Sequence, residues 1–302
     1  GKAAFAVGAL WRARLGRPDL VVFGHIHFAR LARWLKVFSP ESRIWCVVYG
    51  IDVWTPLSRS IRKGVTRIDR FLSISNYSRE ELAKNGDVPG DRIGLLPCAI
   101  DPVWQERCVP WREERVRIGG ETPTLLTVAR LVASERYKGV DSVIRSLPNV
   151  LEAVPEVRYD VVGEGDDRRR LEALSQELGV AANVRFRGRL RPEELAAAYR
   201  DCTLFVMPSS HEGFGIVFLE AALFGKTSIA GRHRGSPEVV EDGKTGLLRE
   251  RDDVRGISDA IVRLLLDRGL REEMGRAAAA RLDARFTYRH FRETLEAAIA
   301  NG

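Results

Sequence analysis

The residues with the most chemical promise lie in SSHEGFGIVFLEAALFGK (209–226). This segment follows the apolar run TLFVMP (203–208), so it reads as the loop and helix at the C-terminal end of a buried strand. Gly213 and Gly215 flank Phe214 and permit a tight turn with close backbone approach. A helix opening near Ile216 presents unpaired backbone N–H groups and the positive end of its dipole, which suit a diphosphate. Glu212 on the turn and Glu220 on the helix can accept hydrogen bonds from different hydroxyl pairs of an extended ligand. Glutamates are common on helix surfaces, and the Gly-Phe-Gly turn between the two is what favours a functional reading.

A second set lies in TVARLVASERYKGVDSVI (127–144), where Arg130 and Lys138 flank a loop after a strand. Two readings stand. The pair neutralises a pyrophosphate and its leaving-group charge, or it is two solvated loop cations. A third set, VVGEGDDRRRLEAL (161–174), places Gly163, Glu164 and Gly165 between a strand and a helix. It is a fragment of a dinucleotide fingerprint whose third glycine is missing, and it serves as a turn at the mouth of a cleft.

Short apolar runs alternating with helical patterns must position these residues, which means β-α-β units and parallel sheets. Strands are expected at 19–24, 43–49, 71–75 and 92–96, then at 123–129, 157–163, 183–188, 203–208 and 227–231. Helices are expected near 26–38, 57–66 and 78–85, then from about 139, 166, 192, 216 and 253, with closing helices near 270–284 and 287–300. Prolines 97 and 102 mark an interdomain linker. Ligands of such folds bind at the C-terminal ends of the strands. The first series has four strands where a doubly wound domain usually has about six, so the chain is expected to lack its natural beginning.

Of 302 residues, 45% are hydrophobic and 29% charged, as in ordinary globular proteins, and the length admits two domains. No apolar run is long enough to span a bilayer. Trp11, Arg12 and Arg14 interrupt the apolar N-terminal segment, which reads as a helix and not a signal peptide. Cys46, Cys98, Cys108 and Cys202 form no C-x2-C pair and read as small hydrophobes in a reducing cytosol. Residues 1–102 carry 16 Lys+Arg against 9 Asp+Glu, a net of +7 that equals the whole excess of the chain. This asymmetry fits either an anionic partner or a merely soluble basic face. The helical segment 28–38 alternates Phe28, Leu31, Trp34, Leu35 and Phe38 with Arg30, Arg33 and Lys36. It could lie on an anionic membrane or pack apolar side down on the sheet.

Together, R…K (130, 138), G-E-G (163–165), H-E-G-F-G-x4-E (211–220) and GSPEVVEDGKTGLL (235–248) resemble glycosyltransferase family 4. The resemblance implies an α/β chain with the GT-B fold: two Rossmann-like parallel-sheet domains facing a cleft, the N-terminal one incomplete. The expected divisions are an acceptor-side domain over 1–103, a nucleotide-sugar-binding domain over 104–285, and a terminal helix over 286–302 that returns to the first domain.

The resemblance also implies roles. Arg130 and Lys138 would hold the donor diphosphate, and Glu212 would contact the sugar. Gly213, Phe214 and Gly215 would present backbone N–H groups. Glu220 would bind the ribose, Arg187 and Gly188 would lie near the base, and Gly163, Glu164 and His211 would line the same site. No metal and no cofactor beyond the nucleotide-sugar donor are expected. His25, His27 and Tyr49 are the acceptor-side candidates. Tyr49 stands where the family usually has a histidine, and a tyrosine does not readily take a proton at neutral pH. P-N-G-V-D, common at the family's linker, is PCAID here (97–101).

The expected activity is retaining transfer of a hexosyl group from a nucleotide-diphosphate sugar to a glycan or lipid-linked acceptor, as in polysaccharide biosynthesis. The expected place is the cytoplasm, with peripheral contact at the inner membrane face through the basic N-terminal third. The alternative is a nucleotide-sugar-binding fragment or degenerate relative without turnover. An epimerase of the same fold is disfavoured by the R…K and E-x7-E set. A nucleic-acid partner is not expected, because no binding motif accompanies the basic third.

Overall fold

The computed structural model describes residues 1–108 and 122–301. The chain divides into two compact units, one formed by Gly1–Cys98 with Phe291–Gly302, the other by Ala99–His290. The divisions fall a few residues away from the expected 103 and 285.

The first unit begins with α1 (Lys2–Gly16), β1 (Leu20–Phe23) and a short 3-10 turn (Ile26–Phe28) leading into α2 (Ala29–Phe38). It continues with β2 (Arg43–Val48), α3 (Arg59–Val65), β3 (Arg70–Ser73), α4 (Asn76–Gly86) and β4 (Ile93–Leu95). The strands form a parallel sheet in the order β1-β2-β3-β4. Alternation along β2 sends Ile44, Cys46 and Val48 into one core with Ile26, Ala29 and Ala32. Trp45 faces the other way, with Leu72 and Leu96, and is covered by Phe291, Leu295 and Ala298 near the chain's end.

On α2 the buried stripe is Ala29, Ala32 and Leu35. Trp34, Val37 and Phe38 face outward, at 51%, 69% and 40% exposure. The expected apolar stripe is therefore split. Ala29, Ala32 and Leu35 seat the helix on the core, and Trp34, Val37 and Phe38 remain outside beside the exposed Arg30 and Arg33.

The second unit starts with α5 (Pro102–Arg107), whose first turn is capped by Asp101, and continues with β5 (Thr124–Val128), α6 (Val140–Ala153), β6 (Arg158–Val162), α7 (Arg168–Glu177) and β7 (Val184–Gly188). Next come α8 (Pro192–Asp201), β8 (Leu204–Met207), α9 (Ile216–Leu223), β9 (Ser228–Gly231), α10 (Ser236–Val239) and β10 (Gly246–Arg249). The chain closes with α11 (Val254–Leu266), α12 (Arg268–Arg285) and α13 (Tyr288–Ala300). The sheet is parallel, in the order β10-β9-β8-β5-β6-β7. β10 was not expected, because its four residues, GLLR, sit directly behind the turn D-G-K-T with little apolar length of their own.

β5 is followed outward by β6 and β7 on one side, while β8, β9 and β10 build the other side. The strand order thus reverses between β5 and β8. In a parallel sheet the loops leaving two such strands part from each other and open a crevice at their C-terminal ends. Those two loops carry Arg130 and Lys138 on one side, and residues 208–215 on the other.

Candidate functional site

The crevice in the second unit is built by close backbone approach. Gly163, after β6, has φ +134°, and a Cβ there would lie 1.9 Å from the Ala129 carbonyl oxygen. Only glycine allows the β5 and β6 loops to meet this closely. The main chain then locks them, with Leu131 N–H donating to the Glu164 carbonyl at 2.9 Å. Gly163 N–H also donates to the Gly188 carbonyl at 2.9 Å, which brings in the end of β7. On the other side, Ser210 N–H donates to the Tyr137 carbonyl at 2.9 Å and joins the β5 and β8 loops.

Lys138 and Glu212 meet across this junction, Nζ to Oε1 at 2.5 Å. Glu212 is buried and Lys138 half-buried. Arg130 pairs with Glu135 of its own loop, and its side chain is 76% exposed. Arg130 and Lys138 both border a water-sized cavity of about 10 Å³ with Glu135, Asp141 and Asp167. The loop is braced from below. Arg136 reaches Asp167 at 3.0 Å, Arg170 holds both oxygens of Asp167 at 2.7 and 2.6 Å, and Arg251 holds both oxygens of Asp141 at 3.0 Å. Burial alone would raise the Asp167 carboxyl, but Arg170 and Arg136 outweigh it and hold it below the ordinary aspartate range.

Gly215 opens α9 at φ +99° and offers no side-chain cap to the first N–H groups of that helix. Phe214 is buried and stacks edge-on against Phe286 at 5.6 Å. Further along α9, Glu220 accepts a hydrogen bond from the Tyr199 hydroxyl at 2.6 Å. Burial pushes the Glu220 carboxyl above its ordinary range, and the tyrosine bond only partly opposes this. The Tyr199 phenol rises well above its usual value through burial and the adjacent Glu220.

His211 lies between Tyr137, whose ring centre is 5.4 Å away, and Arg234, whose Nη2 is 3.1 Å from His211 Nε2. Burial first, then Arg234 and Arg251, push its imidazole below the ordinary histidine range. Arg187 pairs with Asp160 at 3.2 Å on the neighbouring strand. Glu164 comes within 3.4 Å of where a Gly188 Cβ would stand.

The expected donor residues therefore fall at the C-terminal ends of four adjacent strands of one sheet. Arg130 and Lys138 follow β5, Gly163 and Glu164 follow β6, and Arg187 and Gly188 end β7. His211, Glu212, Gly213, Phe214 and Gly215 follow β8, and Glu220 stands on the helix behind. Sequence reasoning missed Tyr137, Tyr199 and Arg234. Tyr199 sits 21 positions from the carboxylate it meets, and Arg234 follows a different strand, so neither spacing nor period signals them.

In the first unit, His25 and His27 lie on the turn after β1, their rings 4.7 Å apart, with His27 N–H donating to His25 Nδ1 at 3.2 Å. Tyr49 follows the adjacent β2 and is half exposed. Its phenol is pushed up by partial burial, then by Cys98, Asp52 and Cys46. Among the described residues no cysteine forms a disulfide. Among the described residues no group of three or more His, Cys, Asp or Glu is arranged to hold a metal ion, and no helix is long and apolar enough to cross a membrane.

The family description "Glycosyl transferases group 1" matches residues 112–281, more than half of the chain and nearly all of the second unit. The chain belongs to the group 1 glycosyltransferases. It is 31% identical over 276 residues to a GDP-mannose-dependent alpha-(1-6)-phosphatidylinositol monomannoside mannosyltransferase of Mycobacterium tuberculosis, covering 86% of this chain and 69% of that one. It is 34% identical over 271 residues to the sulfoquinovosyl transferase SQD2 of Arabidopsis thaliana, covering 86% of this chain and 51% of that one. Among solved structures it resembles the sucrose-phosphate synthase of Thermosynechococcus elongatus (TM-score 0.82, 21% identity, 98% of this chain and 77% of that one). It also resembles Anabaena HepE in complex with UDP (TM-score 0.81, 18% identity, 98% and 82%). The architecture of this glycosyltransferase is that of the GT-B fold, with two parallel-sheet α/β units.

Proposed function

We propose that this glycosyltransferase moves a hexosyl group from a nucleotide-diphosphate sugar to a glycan or lipid-linked acceptor, with retention of configuration and without a divalent ion. The observation that carries this reading is the convergence of Lys138, Glu212, Arg130 and the uncapped start of α9 at the strand-order reversal. The mannosyltransferase and sulfoquinovosyl relatives, with names that specify sugar transfer, support it.

Arg130 and Lys138 hold the diphosphate and offset the charge that grows on the departing oxygen, while the first N–H groups of α9 face the phosphates. Glu212, released in part from Lys138 by the incoming phosphate, accepts from sugar hydroxyls. Glu220, oriented by Tyr199, accepts from ribose hydroxyls, and the ends of β6 and β7 border the base. The bond from the anomeric carbon to the phosphate oxygen breaks as the acceptor oxygen attacks from the same face. The acceptor's proton passes to the departing phosphate oxygen. No side-chain base is required, which accommodates a tyrosine at position 49.

The acceptor-side candidates His25, His27 and Tyr49 belong to the first unit. That unit carries the net positive charge, and the outward Trp34, Val37 and Phe38 beside Arg30 and Arg33 favour peripheral contact with an anionic membrane at its cytoplasmic face.

Calorimetric titration with UDP, GDP and ADP, with and without magnesium, tests the donor site. Binding of one nucleotide, indifferent to magnesium and lost in Glu220→Ala, is expected. Binding that requires magnesium, or that survives Glu220→Ala, would overturn this assignment. Proton NMR of the product's anomeric centre tests retention. A second reading, binding without turnover, is favoured by Tyr49 alone. Nucleotide binding with no sugar transfer to any acceptor would establish it.

A further inference from the structure

Among the described residues, the non-glycine residues with left-handed backbone are Arg17, Asp87 and Arg234. Arg17 and Asp87 terminate α1 and α4, where that conformation closes the helix. Arg234 (φ +64°) ends no helix. It sits between β9 and α10, and the strain there is one that glycine would not carry.

Its side chain shows what the strain accompanies. Nε donates to the Ser210 carbonyl at 3.0 Å, and Nη2 lies 3.1 Å from His211 Nε2. A guanidinium only donates and stays protonated, so Nε2 must accept. The imidazole proton is then on Nδ1, 2.8 Å from Ser210 Oγ, which accepts it. The next residue, Gly235, donates its N–H to the Glu212 carbonyl at 2.9 Å.

We infer that Arg234 is a positioning residue of the donor site, locking His211 as the neutral Nδ1–H tautomer and thereby fixing the turn that carries Glu212 and Gly213. The inference deepens the donor-site reading and rests on it. Arg234 and Arg251 act on the His211 ring by charge, the Tyr137 ring packs 5.4 Å from it, and Glu212, paired with Lys138, follows it in the chain. Both arginines oppose a second positive charge on the ring, in the same direction as burial. Without Arg234 one opposing charge is gone and the ring protonates more readily, with burial and Arg251 still acting against it. An imidazolium there adds a positive charge to the turn that carries Glu212 and Gly213, loosens that turn and weakens the donor grip in acid. In the intact protein the grip is insensitive to pH across the histidine range.

The test is ring 15N NMR of the substrate-free protein, tractable with five histidines, together with affinity for GDP-mannose and UDP-glucose from pH 5.5 to 8. Wild type should show His211 protonated on Nδ1 alone and resisting titration near pH 6.5. Arg234→Gly, relieved of strain, should show His211 titrating at a higher pH than in wild type. Its donor affinity should fall about tenfold at pH 5.5 and recover towards wild type at pH 8. Arg234→Lys, which keeps one donor, should restore most of the acid-side affinity. A wild-type ring carrying its proton on Nε2 overturns the inference. So does an Arg234→Gly protein with unchanged His211 titration, whatever its affinity. If neither sugar nucleotide binds any variant, the donor reading fails, and the ring spectra still decide the lock.

Discussion

At the scale of single residues, the site combines groups held in unequal states. Glu220 is pushed up by burial before any ligand arrives, whereas Glu212 is neutralised by Lys138. A carboxylate with a raised native value stabilises the folded protein below the unfolded value, and that contribution disappears as pH rises through the native one. The ligand-free protein should therefore lose stability as pH rises from about 4.5 through the raised Glu220 value. Glu220→Gln should remove that slope and raise the melting temperature at pH 7 by about 2 °C while abolishing nucleotide binding. Scanning calorimetry over pH checks the first outcome, and titration with GDP and UDP the second. Lys138→Ala should lower sugar transfer about 10²–10³-fold by removing a cation from the departing phosphate. Arg130→Ala should have an effect of the same order despite the exposed position of its side chain. Steady-state kinetics with a saturating acceptor reads both.

At the scale of elements, the loop after β5 is held by Asp167, which accepts from Arg136, and by Arg251, which donates to both Asp141 and the Arg136 carbonyl. The depressed Asp167 carboxyl supplies stability above the ordinary aspartate value of about 3.9, and this is lost as pH falls through its lower native value. Asp167→Asn should lose that contribution at neutral pH and flatten the acid limb of the stability curve, as urea unfolding at pH 3 and pH 7 would show. Gly163→Ala should be worse, because its Cβ would fall inside the Ala129 carbonyl. A loss of about 2–4 kcal/mol is expected in urea unfolding, with donor binding lost alongside.

Much of this was legible in the sequence. Strand, glycine turn and helix recur with a fixed grammar, so β5 to β9 and the loops that follow them could be placed from their apolar runs. The partners of the site were not legible. Tyr199 and Arg234 reach it from other elements, and no local pattern encodes a contact made by folding. β10 was too short to stand out, and the outward Trp34 was hidden because a helical period gives the apolar stripe but not which part of it meets the sheet.

At the scale of the whole molecule, the net positive charge lies in the unit that also exposes Trp34, Val37 and Phe38. Sedimentation with vesicles of anionic phospholipid should show binding that falls steeply with salt. Replacing Trp34 and Phe38 with alanine should weaken it about tenfold, with GDP and UDP affinity unchanged. Equal binding to zwitterionic vesicles would argue against the charge contribution.

The covering of Trp45, Leu72 and Leu96 by Phe291, Leu295 and Ala298 bears on how the chain is born. On the ribosome, the sheet of the first unit emerges early, yet the helix that seals one of its faces follows only after the entire second unit. At about 5–20 residues per second, that interval is roughly 10–40 s. For that time a tryptophan and two leucines of the first unit's sheet lack their cover. The second unit, made from one continuous stretch, has every residue it needs before the first is sealed. The first unit is thus completed only after the second, and it is the unit a chaperone would meet open.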